Sequence, residues 1–134
     1  MSMFNGFVVE NDLVPVPTAT VVIWDGRIYC ADGFALAVTK NQEVEVRHDR
    51  PWVRTVRYSY QGLHHAGGIG KKLFRYDNYH AHPGHPDRHH KHRCDTDGNE
   101  IEPPDFVGAG HWPTLSDALE ELRQIWVKWQ RDRV

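Results

Sequence analysis

Val53-Arg54-Thr55-Val56-Arg57-Tyr58-Ser59-Tyr60 alternates along its length, and that period of two decides the fold class. Successive side chains of a strand point to opposite faces. The spacing therefore puts Val53, Thr55, Arg57 and Ser59 on one face and Arg54, Val56, Tyr58 and Tyr60 on the other. Toward the N-terminus, Glu43-Val44-Glu45-Val46-Arg47-His48 has the same period. Before it, Phe34-Ala35-Leu36-Ala37-Val38 and Ala19-Thr20-Val21-Val22-Ile23-Trp24 are compact apolar runs. Asp25-Gly26 breaks the first strand from Arg27-Ile28-Tyr29-Cys30-Ala31, and Asp32-Gly33 precedes the next. Asp-Gly between apolar runs predicts hairpin turns. Toward the C-terminus, the Gly-rich turn at 66–70 enters a further strand, Lys72-Leu73-Phe74-Arg75-Tyr76-Asp77.

No helical period precedes residue 113, roughly. The end of the chain then reads as a helix over about 114–131, with Thr114 as N-cap and Asp117 three residues on. Leu115, Ala118, Leu119, Leu122, Ile125, Trp126 and Trp129 form its apolar stripe, which suits covering a sheet face. A partner-docking role for the two Trp is the alternative reading. Short turns between neighbouring strands favour antiparallel pairing. The expectation is one α+β domain: five or six antiparallel strands over about 19–77, a His-rich loop over 78–112 bearing one or two short strands, and a covering C-terminal helix.

The chain has 134 residues, enough for one domain and too few for two ordinary ones. Five Trp, five Tyr and five Phe exclude a disordered chain. No apolar run is long enough to span a membrane, and Met-Ser-Met-Phe-Asn-Gly has no basic leader region. Cys30 and Cys94 make no disulfide framework, so a cytoplasmic setting is expected. The net charge of −2 conceals a blocked pattern. Residues 47–93 carry ten basic and three acidic groups, while both flanking segments are acidic. Nine of the ten His also lie in that block. A basic block interleaved with aromatics has the form of a nucleic-acid surface. Arg54, Arg57, Lys71, Lys72, Arg75 and Arg88 are its candidate RNA contacts. Neutralisation of the chain's own acidic ends is the competing reading.

Six His fall between 80 and 92. Spacing of two puts His80 and His82 on one side of an extended chain, and likewise His90 and His92. With His85, such pairs could hold a zinc or nickel ion. The positive surroundings oppose a cation, and the primary expectation is no cofactor. The other chemistry is metal-free RNA scission, which needs a proton acceptor, a proton donor and cations around the phosphate. His90, His92 and Lys91 are the candidates, with Asp77 and Tyr76 at the end of the preceding strand. An inert polar loop is the alternative for the whole segment.

Phe74-Arg75-Tyr76-Asp77-Asn78, followed by a Pro-, Gly- and His-containing loop and His89-His90-Lys91-His92, resembles the central motif of the TumE toxin family. The resemblance covers roughly residues 53–125, and includes a short terminal helix at the position of Thr114 to Leu122. The chain departs from the pattern in the extra His80, His82 and His85, in an acidic insert at 95–105 and in a Trp-bearing extension after Leu122. The resemblance implies a toxin of a two-component system acting on RNA, held by a cognate helix-turn-helix antitoxin. A homodimer stays open, and a non-catalytic nucleic-acid-binding domain or a His-rich metal-binding protein are the alternatives.

Overall fold

The computed structural model describes residues 4–18, 20–66, 69–80 and 84–133. Its strands are β1 (Val8–Asn11), β2 (Val14–Pro17), β3 (Val21–Cys30), β4 (Phe34–Arg47), β5 (Arg50–Ala66), β6 (Ile69–Asp77), β7 (His90–Arg93) and β8 (Asp105–Phe106), and the helix α1 is Leu115–Asp132. All pair antiparallel in one sheet of order β1, β3, β4, β5, β6, β7, β8, with β2 also on β3. The α+β class and the covering helix agree with the sequence reading, but the sheet has eight strands, not five or six. The short β1 and β2 precede the strands read from the sequence, and β7 and β8 are short strands of the 78–112 loop. β2 contains Pro15 and Pro17 and pairs with β3 alone. Proline is tolerated on such an edge because one side of the strand needs no N–H donors.

Asp25-Gly26 does not turn the chain; it lies inside β3, which runs unbroken for ten residues. A Cβ on Gly26 would stand 2.7 Å from the Asp12 carbonyl oxygen. This glycine permits a close approach of the β1–β2 link rather than a turn. Asp32-Gly33 does turn, through positive φ at both residues. The runs at 34–38 and 43–48 merge into the single strand β4, which turns into β5 at His48-Asp49, again with positive φ at both residues. The Gly-rich turn expected at 66–70 falls largely on 67 and 68, outside the described residues.

A register shift between Asn41 and Gln42 leaves Val56 without a partner on β4. One extra residue reverses the parity of the alternation. Thr55 therefore joins Gln42, whose Nε2 donates to Thr55 Oγ1 at 3.3 Å, and no longer shares a face with Arg57 and Ser59. Arg54 moves to the face of Arg57 by the same shift. Asn78 secures the bulge. Its Oδ1 accepts from the Tyr58 N–H and its Nδ2 donates to the Val56 carbonyl, both at 3.0 Å.

α1 covers one face of the sheet. Phe34, Leu36 and Val38 of β4, Tyr58 and Tyr60 of β5 and Phe74 of β6 are buried with Ala118, Leu119 and Leu122. Thr114 caps the helix by accepting from the Asp117 N–H, while the Asp117 carboxylate accepts from the Thr114 N–H. Trp126 lies 5.0 Å from the Phe7 ring and donates from Nε1 to Asp32 Oδ2 at 2.9 Å. Trp129 meets the Phe34 ring edge-on at 5.6 Å. Both Trp thus extend the covered face. Among the described residues, no helix is long and apolar enough to cross a membrane.

Candidate functional site

β6 and β7 pair Arg75 with His92, Tyr76 with Lys91 and Asp77 with His90. Directly opposed residues share a face and neighbours alternate. The register therefore divides the residues that the sequence groups together. Tyr76 and Lys91 point to the helix side. Tyr76 OH donates to Glu121 Oε1 at 2.7 Å, and Lys91 Nζ donates to the same oxygen at 3.0 Å. The ammonium also stands 5.1 Å from the Tyr76 ring centroid. Burial, reinforced by the Glu121 carboxylate, pushes the Tyr76 phenol up, so it stays a neutral donor. The sequence reading passed over Glu121; its one signal was a carboxylate beside the apolar stripe of α1.

Arg75, Asp77 and His92 meet on the other, helix-free face. Arg75 Nε donates to Asp77 Oδ2 at 2.7 Å, and Arg75 Nη1 reaches Glu100 Oε1 at 2.8 Å. The His92 ring lies between the same two carboxylates. Its Nε2 is 3.4 Å from Asp77 Oδ2 and its Nδ1 is 3.6 Å from Glu100 Oε2. Asp77 and His92 are buried and Glu100 is partly so. Burial lowers the His92 pKa and Arg75 adds to the fall, while Asp77, Glu100 and Glu102 oppose it. Glu100 was also missed, because it lies in the acidic stretch that the sequence reading treated as an insert.

A short loop delivers Glu100. Asp95 Oδ1 accepts from the N–H groups of Asp97 and Asn99, and the Asp95 N–H donates to the Asn99 carbonyl. Cys94 then bridges to Glu100, and the Ile101 N–H donates to the Arg93 carbonyl. The turn thus acts as a stiff extension of β7.

His90, directly opposite Asp77, shares the face of this cluster, while its ring is engaged by the loop that precedes β7. His90 is fully buried, with Nδ1–H donating to the Arg88 carbonyl at 2.7 Å and the His85 ring stacked on it at 4.8 Å. His89 stacks on Trp112 and pairs its Nδ1 with Tyr58 OH at 3.0 Å. His80 is exposed beside Tyr79, and His82 lies outside the described residues. Among the described residues, the donors grouped as a metal would need are His92, Glu100 and Glu102 rather than a set of paired imidazoles.

The basic residues are spread more widely. Arg57 lies 4.2 Å over the Tyr79 ring and lines a groove of about 470 Å³ with Arg88, Asp87 and His89. Arg54 is tied to Glu43 at 2.8 Å. Lys71 and Lys72 are exposed on β6 and, as successive residues paired with His64 and Leu63, face opposite sides of the sheet.

The chain matches the family model of Toxin TumE over residues 6–127. It belongs to the TumE toxin family. The match includes the N-terminal strands that lie outside the motif at 74–92, so those strands are part of the family's fold. No curated protein and no solved structure matches the chain. TumE membership makes the chain a toxin and implies an antitoxin partner. In this TumE protein, the Asp77 and Asn78 of the motif have separate jobs. Asn78 fastens β6 to the bulge of β5, and Asp77 faces His92 and Arg75.

Proposed function

We propose that this toxin acts on RNA, and that its chemistry resides on the helix-free sheet face at His92, Asp77 and Arg75. The observation that carries the reading is the buried His92 held between Asp77 and Glu100, with the Arg75 guanidinium bonded to both carboxylates. In scission of a phosphodiester by its own 2′-hydroxyl, a base removes the hydroxyl proton and a proton is delivered to the departing 5′-oxygen, and one imidazole can do both in turn. Cations stabilise the charge that gathers on the phosphate. His92 is the proton carrier in this scheme, and Asp77 orients its ring and stabilises the imidazolium. Arg75 supplies positive charge beside it. Arg57 and Arg88, with the Tyr79 ring, offer a cationic and stacking groove for the adjoining strand. Lys72 and Arg54 extend the positive surface. Tyr76 and Lys91 support the strand pair from behind, and His90 fixes the loop after residue 84 through the Arg88 carbonyl. The protein works in the cytoplasm, where its RNA substrate and its helix-turn-helix antitoxin are found.

The test is incubation of purified toxin with single-stranded RNA. Cleavage should leave 2′,3′-cyclic phosphate ends and should be lost in Asp77→Asn. Binding should weaken with salt by a slope of about −0.7 for each phosphate contacted. RNA that stays intact and affinity that ignores salt would overturn the reading.

A further inference from the structure

We infer that His92, Glu100 and Glu102 form a binding site for one divalent transition-metal ion of the Mn²⁺ or Zn²⁺ type. One ligand atom from each of the three residues lies within 4.8 Å of the others. The donors come from the end of β7 and from the turn that follows it. The Asp95-centred turn and the Cys94–Glu100 bridge hold the two segments side by side. Such a preset frame lowers the ordering cost of binding.

Each carboxylate oxygen of Glu100 has its own task. Oε1 stands 2.8 Å from Arg75 Nη1 in an ion pair, and Oε2 faces His92 Nδ1 at 3.6 Å. Glu102 makes no hydrogen bond or ion pair among the described residues, and it is exposed. Its side chain is thus free to swing toward the other two. Metal bonds to imidazole nitrogen and carboxylate oxygen are about 2.0–2.2 Å long, so a modest rotation closes the set on an ion.

The local charge favours a cation. Asp77, Glu100 and Glu102 surround His92, and among the described residues Arg75 is the Lys or Arg side chain that forms ion pairs with them. With a neutral imidazole this leaves an excess of two negative charges, which a divalent ion balances. The far nitrogen of the ring completes the pattern. Nε2 lies 3.4 Å from the buried Asp77 carboxylate, the partner that a metal-bound imidazole characteristically has behind it. One nitrogen and two hard oxygens suit Mn²⁺ or Zn²⁺ better than softer ions. The site needs neither His80, His82 nor His85. It stands whether or not RNA is the substrate. Nδ1 cannot hold an ion and carry a proton at once, so occupancy would switch off the acid–base role proposed for His92.

The test is calorimetric titration of the chelator-stripped, untagged full chain with MnCl₂, and separately with ZnCl₂. One saturable site per chain is expected. Glu102→Gln should weaken it at least tenfold with an unchanged melting temperature in the absence of metal, because Glu102 is exposed. Asp77→Asn should weaken it by roughly 10–100-fold, the range for loss of a carboxylate behind a metal-bound His. The triple variant His80→Ala, His82→Ala, His85→Ala should bind as the parent does. Absence of saturable binding by both ions would overturn the inference. Binding lost in the triple variant but unchanged in Glu102→Gln would overturn it equally. Because the readout is binding alone, its failure leaves the RNA reading untouched, and intact RNA leaves the metal site untouched.

Discussion

The two faces of the β6–β7 pair use the same kinds of residue for different ends. On the helix side, Tyr76 and Lys91 converge on one oxygen of Glu121. That cluster joins α1 to the sheet and has its donors and acceptor matched. On the other side, Arg75, Asp77, His92 and Glu100 form a cluster with more carboxylate than cation and no helix above it. Matched charge at a packed interface serves cohesion, whereas the buried imidazole held between carboxylates is the group to which the proposal assigns chemistry. The comparison teaches that facing, more than residue type, decides what each side chain of this segment touches.

The largest effect expected on the covered face is from Leu122→Ala. Leu122 is fully buried between α1 and the sheet. Its truncation should cost about 2–5 kcal/mol, read by denaturant unfolding. A loss below that range would mean that α1 is not the lid of the core. A smaller effect is expected from Glu121→Ala, which removes the shared acceptor of Tyr76 and Lys91. A loss of about 1–2 kcal/mol is expected, with toxicity retained at equal protein level. Loss of toxicity without loss of stability would move the functional face to the helix side.

The smallest effect concerns acid. Burial holds the His89 pKa below its ordinary value, and Asp87 opposes that shift only in part. Tyr58 and Trp112 are its other neighbours. The folded chain thus keeps His89 neutral where the unfolded chain, with a His pKa near 6.5, takes up a proton. Stability from this residue is full above that pH and falls as the pH drops through it. The melting temperature should decline on going from roughly pH 7.5 to 5.5, and His89→Gln should shallow the decline. An unchanged slope would show that His89 does not contribute.

Much of the fold was legible because its core elements announce themselves. The alternation around Val53 to Tyr60 and the capping box at Thr114 to Asp117 rest on local physics. What misled was Gly26, whose neighbour Asp25 gave it the look of a turn although it serves a close approach. The bulge at Val56 was also hidden, since a one-residue shift depends on the partner strand and on Asn78. The proposed site was legible in part. Asp77, His92 and Arg75 stand out in the sequence, but the facing of Tyr76 and Lys91 depends on the pairing of β7 with β6, which no local pattern shows. Glu100 and Glu102 reach His92 through a turn that only the three-dimensional chain path reveals.

The most direct test of the division between the faces compares His92→Ala with Lys91→Met, neighbours on one strand with opposite facing. Each is expressed at the parent's level in cells lacking the antitoxin, and growth is measured. The account predicts that His92→Ala permits growth while Lys91→Met still arrests it. Arrest by His92→Ala together with growth under Lys91→Met would contradict it.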